Sequence, residues 1–392
     1  MKKFFVFALA TVLVSCLILS ACAAPPPAPA PTPAPAPAPT PTPAPAPSPA
    51  PVPAPKPAPA PSPAPAPGPA PEKPIELNFS YHAPPQASLA KAILIPWAND
   101  IEAATNGRVK IIHHAGGSLL GAADAYDGLV SGICDIAQVA TEEYPGRFPR
   151  NGIHVLPFMY PNTEIAGIVS HEIVNKYCAG TELKEVKVLI TAPLHQMHYL
   201  GNEPVEKLED FVGLKIRSPG KVQATTIKAF GGTPVEISTG DLFSALDRGM
   251  VDGTFFTWSG ALAFGLKDAT KYRTECGVSL ECFLVAMNKQ TFAKLPADIQ
   301  KIFNENSTPQ ISRKYAAAHM ELEKGGKGAI IGSDKKAGNP PIYVLPPEEL
   351  ARWKKAAQPV WDEWILEMRS EGINGNAMID DIVSFIKKYS QP

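Results

Sequence analysis

The side chains here that could do chemistry are scattered histidines, one arginine closing a short apolar run, and aromatics beyond two strand-like stretches. His113 and His114 are adjacent, so on a strand they point to opposite faces and cannot share one ion. His195 and His198, three apart in another strand-like stretch, are expected to face opposite ways as well, so no metal site is expected. The chain has no GxSxG elbow, no HExxH pair and no GxxxxGK[ST] loop. The glycine-rich AGGSLLG of residues 115–121 could cradle an anion on backbone amides, but such loops are more often tight turns. Nothing calls for a cofactor, and the chain is not expected to be an enzyme.

The arginine is Arg217, in GLKIRSPGK. Alternation puts Leu214 and Ile216 on one face and Lys215 and Arg217 on the other, and Ser218-Pro219-Gly220 ends the strand. Ligands of open α/β sheets bind just outside the carboxyl ends of strands, which is where Arg217 stands. A guanidinium is a planar fork matched to a carboxylate, and it stays charged when partly buried. A solvated surface arginine is the equal alternative on position alone. DGTFFTWSG places Phe255, Phe256 and Trp258 beyond another strand end, and EEYPGRFP places Tyr144, Arg147 and Phe148 in a loop. These aromatics fit a ligand wall or a core equally well.

The elements that must hold these residues alternate. IELNFS (75–80) reads as a strand. SLAKAILIPWANDIEAATNG reads as a helix capped by Ser88 and stopped at Asn106-Gly107, and RVKIIHH as a second strand, the unit of a parallel α/β sheet. VKVLITAPLH, GLKIRS, TPVEI and DGTFF continue the strands, with helices near 220–230 and 240–248. PPEELARWKKAAQPVWDEWILEMRSEG reads as one long amphipathic helix, kinked at Pro359, able to brace two lobes. A repeat sits within this order: DAYDGLVSGICDI (124–136) and DLFSALDRGMVDG (241–253) share an aromatic, a leucine, a helix-stopping glycine and an aspartate opening a strand. The pair suggests two similar lobes facing one cleft.

At the amino end, two lysines, an apolar run from Phe4 to Leu19 and Leu19-Ser20-Ala21-Cys22 read as a secretion signal with a lipobox. Residues 1–21 are then the signal peptide, and Cys22 carries the lipid. Residues 22–74 form a Pro/Ala-rich polyproline II spacer with a reach on the order of 150 Å. The net charge of -1, with acids and bases interspersed, excludes nucleic acid as partner. Cys276 and Cys282 could be bridged or could be free thiols.

Several stretches together resemble the solute-binding proteins of tripartite ATP-independent periplasmic (TRAP) transporters, the dicarboxylate-binding-protein type. They are GRVKIIHHAGGSLLGAADAYDGLVSGICDIA, PVEKLEDFVGLKIRSPG, FGGTPVEISTGDLFSALDRGMVDG and AMNKQTFAKLPADIQKIF. The resemblance implies an α/β, two-lobed periplasmic-binding-protein fold (type II-like) with a long helix bracing both lobes. Lobe I would be residues 75–195 and 283–325, and lobe II residues 196–282 and 326–392. It implies capture of a small organic acid, delivery to TRAP membrane permease subunits, and an extracytoplasmic location with the membrane reached through the lipid anchor. Arg217 matches the family's carboxylate-pairing arginine. Phe256 stands where sialic-acid-like members have Asn, Met197 near their second arginine, and Thr257-Trp258 where metal-assisted members look to have Glu-Trp. The pocket implied is apolar with one carboxylate clamp, suited to a monocarboxylate with an apolar or aromatic body. The candidate ligand-binding set is Arg217, Trp258, Phe256, Tyr144, Phe255 and His195. A ligand-sensing partner or a structural wall lipoprotein is the alternative reading.

Overall fold

The structure, a computed structural model, describes residues 73–391. The expected signal peptide, the lipidation site Cys22 and all but the last two residues of the spacer lie outside the described residues.

Eleven strands are described: β1 Ile75–Ser80, β2 Val109–His114, β3 Ile136–Val139, β4 Val186–Pro193, β5 His198–Gly201, β6 Lys215–Ser218, β7 Thr233–Glu236, β8 Gly253–Phe256, β9 Tyr272–Glu275, β10 Cys282–Asn288 and β11 Tyr343–Val344. They form two mixed sheets, ordered β2-β1-β3-β10-β4 and β11-β9-β5-β8-β6-β7. β1 runs parallel to β2 and β3, and β6 runs parallel to β7 and β8, so each sheet keeps a parallel core as the strand–helix alternation requires. The chain passes between sheets through residues 194–197 and 276–281. These two crossovers are bonded to each other: the Met197 amide donates to Ser279 O (2.7 Å) and the Leu194 amide to Glu281 O (2.8 Å).

The repeat has a physical basis. Gly132 and Gly249 adopt φ of 81° and 67°, the left-handed stop that a Cβ disfavours. The aspartate that follows each stop clips its strand to a neighbour in the same manner. Asp135 accepts the Asn78 amide on Oδ2 (2.8 Å) and returns its own amide to Asn78 O (3.0 Å). Asp252 accepts the Lys215 amide on Oδ2 (2.7 Å) and returns its amide to Lys215 O (2.7 Å). One sequence device therefore sets β3 beside β1 and β8 beside β6.

Two expectations are corrected. The brace between the sheets is the 29-residue helix Pro309–Ala337, and the expected one is broken at Ala357 into Pro347–Ala356 and Gln358–Ser370, with Pro359 in the first turn of the second. The long helix packs closely on Thr163–Ile173, where a Cβ on Gly167 would lie 2.6 Å from Ala316 Cβ. It also packs on Trp258–Ala263, where a Cβ on Gly326 would lie 2.9 Å from Ser259 N. Four glycines at 325, 326, 328 and 332 lower its intrinsic propensity, so packing and not local preference makes it helical. The second correction concerns only the end of residues 326–392: β11, Ile330, Leu345, Trp353 and Ala357 lie with the second sheet as expected, and the last two helices do not. Val360, Trp364, Met368, Met378 and Ile382 join the core of Thr163–Ile173, on the first sheet's side, because the apolar faces of the last two helices find their partner there.

Ser88 does not cap a helix. The stretch starts as the π-turn Ala90–Leu94, continues as Ile95–Ala104, and leaves the Ser88 hydroxyl for other partners. Cys134, Cys178, Cys276 and Cys282 are free and buried.

Candidate functional site

Arg217 is the penultimate residue of β6, a strand flanked on both sides, and its side chain is 1% exposed. Its Nε donates to Ile237 O (2.9 Å) and its Nη2 to Thr239 Oγ1 (2.8 Å), while Nη2 stands 3.5 Å from Glu143 Oε1. Nη1 has no partner. The Thr239 hydroxyl donates in turn to Glu143 Oε1 (2.8 Å). Burial lowers the guanidinium pKa, opposed by Glu281 and Glu143, and the group stays cationic.

Beside this arginine lies a chamber between the sheets. His82, Leu194, Glu281 and Phe283 line it from the first sheet and the crossovers, and Thr239, Phe256 and Phe264 from the second. His82 meets Phe283 edge-on at 5.3 Å, and Phe256 meets Phe264 edge-on at 5.9 Å. Gln138 Nε2 stands 3.4 Å from His82 Nε2, and His82 Nδ1 has no partner. A second groove is lined by Glu142, Tyr144, Phe148, Gly220, Gln223 and Trp364. The chamber has aromatic walls from both sheets and polar groups converging at one end, as small-ligand sites do, and it holds Thr239 and Glu281, both tied to Arg217. We take the chamber as the site.

Two carboxylates, Glu143 and Glu281, act on the guanidinium, and a third, Glu142, interacts with Glu281. Burial first and Glu281 second raise the Glu142 carboxyl well above its usual range. Burial raises Glu281 likewise, opposed by Arg217 and reinforced by Glu143. Gln223 donates to Glu281 Oε1 (3.3 Å), and Glu142 Oε2 has no partner.

Of the expected ligand-binding residues, the structure brings Phe256 to the chamber wall and Arg217 directly behind it. Trp258 is held off the wall, stacked on His198 at 4.5 Å and 14°, with its amide donating to Glu323 Oε1 (2.5 Å). Phe255 packs into the core between Phe211 and Phe230. Tyr144 lines the other groove, its hydroxyl accepting the Tyr126 amide (2.7 Å). His195 lies in the crossover, not in a strand, so it does not face away from His198: the rings are 6.3 Å apart, and neither lines the chamber. Among the described residues no cluster of His, Cys, Asp or Glu could hold a metal. Sequence reasoning missed Glu142, Glu143, Glu281, Gln223, Thr239 and His82. EEYP and SLECF carry three of these acids in plain view, but only their convergence on Arg217 marks them.

The sheets approach closely around this cluster. Ser88 Oγ donates to Ser259 Oγ (2.6 Å) and stands 2.9 Å from His319 Nε2 of the brace. At Gly220 a Cβ would lie 2.7 Å from Glu142 O, a backbone atom with little freedom to yield. Gly220→Val is therefore expected to wedge the sheets apart and weaken ligand binding about tenfold or more, roughly 1.4 kcal/mol or above. Calorimetric titration of the variant checks this; an unchanged Kd would mean the approach is not needed for binding.

Residues 79–367 match the family described as bacterial extracellular solute-binding protein, family 7, and the chain belongs to that family. It is 28% identical over 173 residues to a C4-dicarboxylate-binding periplasmic protein DctP of Rhodobacter capsulatus, an overlap of 44% of this chain and 50% of that one. The chain thus spans half the length of this relative. Among solved structures it resembles a TRAP solute-binding protein from Rhodoferax ferrireducens T118 in complex with copurified benzoate, with TM-score 0.76, 24% identity, and 81% of this chain and 98% of that one covered. It also resembles a marine metagenome TRAP solute-binding protein specific for aromatic acid ligands, in complex with 3-hydroxybenzoate, with TM-score 0.74, 25% identity, and coverage of 81% and 99%. The two-sheet, two-lobed fold is that of these binding proteins. Among the described residues no helix is long and apolar enough to cross a membrane.

Proposed function

We propose that this protein captures a small organic acid, a monocarboxylate with an apolar or aromatic body, between its two sheets and delivers it to a TRAP-type membrane permease. The observation that carries the reading is a buried arginine with an unpartnered Nη1 behind a chamber walled by Phe256, Phe264 and Phe283. A charge-assisted contact to a carboxylate, with aromatic surface for the rest of the ligand, follows from those groups. The benzoate and 3-hydroxybenzoate bound by two proteins of the same fold agree with it. Cys22 is the proposed lipid anchor, holding the protein outside the cytoplasm at the end of a Pro/Ala spacer. Permease delivery rests on the family, which is one of binding proteins and not of enzymes.

A ligand that favours the closed arrangement stabilises it by RT ln(1 + [L]/Kd), about 2.7 kcal/mol at a hundredfold excess over Kd. Thermal-shift measurements with benzoate, phenylacetate, mandelate and succinate test the reading. Aromatic monocarboxylates are expected to raise Tm more than succinate does. If none of the four raises it, the reading is wrong.

A further inference from the structure

The charges around the chamber do not suit a ligand that is only an anion. Arg217 brings one positive charge. Against it stand Glu143 at 3.5 Å from Nη2 and Glu281 lining the chamber, while Glu142 lines the other groove, its carboxyl raised by burial. His82, the other titratable group on the wall, is neutral, because burial lowers its pKa to about 4. Glu143 already offsets the guanidinium, so burying a ligand carboxylate beside Glu281 is costly unless a cation or a proton accompanies it. Glu281 belongs to the crossover between the sheets, and Gln223 takes one of its oxygens.

We propose that the ligand carries a protonated amine together with its carboxylate, an amino-acid-like zwitterion with an apolar or aromatic body, whose ammonium pairs with Glu281 while its carboxylate reaches Arg217. This rests on the reading of the chamber as an organic-acid site and specifies its ligand class. The raised carboxyl of Glu281 supports the assignment: burial first, and Glu143 after it, favour a proton there in the empty site, and an incoming ammonium replaces that proton. A zwitterion therefore binds with proton release, and a simple acid binds with proton uptake.

Matched pairs that differ by one amino group test the proposal: 3-phenylpropionate with phenylalanine, phenylacetate with phenylglycine, and 4-methylpentanoate with leucine. They are titrated calorimetrically into the whole protein and into Glu281→Gln, in phosphate and in Tris to count protons. The expected result is at least a tenfold preference for the amino member of a pair with proton release, shrinking to threefold or less in Glu281→Gln. Equal or tighter binding of the amine-free acid, with proton uptake, would overturn the proposal and leave the organic-acid reading standing. Silence from every compound, benzoate included, would remove both. Should Glu281→Gln fail to fold, the preference and proton count of the unaltered protein decide alone.

Discussion

Arg217→Met is expected to abolish ligand-dependent stabilisation. A charge-assisted contact to a buried carboxylate is worth about 1.5–3 kcal/mol, so its loss weakens binding by roughly ten- to more than a hundredfold. At ligand concentrations that give the unaltered protein a full thermal shift, the variant should give almost none. Arg217→Lys keeps the charge but not the fork, since Nε and Nη2 are already committed to Ile237 O and Thr239 Oγ1 and a lysine has one nitrogen for all three tasks. It is expected to fall between the two. The ligand-free variant carries a second signature. Without the guanidinium, Glu143 and Glu281 face each other's field unrelieved, so Arg217→Met should lose stability as pH rises from 6 to 8 more steeply than the unaltered protein. A full ligand shift in Arg217→Met would sink the assignment of Arg217 as the carboxylate partner.

Acidification is expected to destabilise the fold steeply, through buried histidines, all but His82 away from the chamber wall. Burial lowers His82, His171 and His319 to about 4, and His154 and His198 to about 3. Their surroundings hold them neutral: His198 Nδ1 accepts the amides of Cys276 (3.2 Å) and Gly277 (3.1 Å), a role a protonated nitrogen cannot fill, and His154 Nδ1 lies 2.7 Å from the Tyr160 hydroxyl. For a base whose folded pKa is depressed, the unfolded chain binds protons that the folded chain refuses. The stability is therefore fully present above about 6.5 and is lost as pH falls toward 4. At pH 5 each histidine forfeits roughly 2 kcal/mol at about 1.4 kcal/mol per pH unit, so five amount to something on the order of 10 kcal/mol, comparable to a whole domain's stability. Glu142 and Glu281 act in the opposite sense, since their raised folded pKa favours the folded state at lower pH, and they offset part of the loss. Calorimetric melting at pH 7, 6 and 5 should show Tm dropping at each step. His154→Phe should flatten the drop by its share. A Tm that is level or rises from pH 7 to 5 would contradict this account.

Much of the architecture was legible from pattern. The repeated helix stop with its following aspartate, Gly132 with Asp135 and Gly249 with Asp252, marks the edge of each parallel core, because a left-handed φ and a side-chain clip to the adjacent strand are local demands on residue type. Residues that only fill space were less legible. Phe255, Phe256 and Trp258 share one stretch, yet Phe256 faces the chamber, Phe255 the core, and Trp258 the His198 ring, and no periodicity distinguishes these fates. The bracing helix was hidden for a different reason: its four glycines weaken local helix preference, and the close approaches at Gly167 and Gly326 that justify small residues exist only once the helix is packed.

Local chemistry in the chain was enough for the class of fold, the strand that carries Arg217, and the position of that arginine at a strand end, because alternation and turn residues act within a few positions. The charge environment of the arginine was decided by tertiary structure alone. Glu143 lies 74 residues before it and Glu281 64 after it, one in the turn after β3 and one in a crossover between sheets. Electrostatic interaction depends on distance and burial in space, which sequence separation does not encode. That is why a single arginine predicted a carboxylate, whereas Glu143 and Glu281, brought to it from distant parts of the chain, underlie the proposal of a ligand that brings positive charge as well.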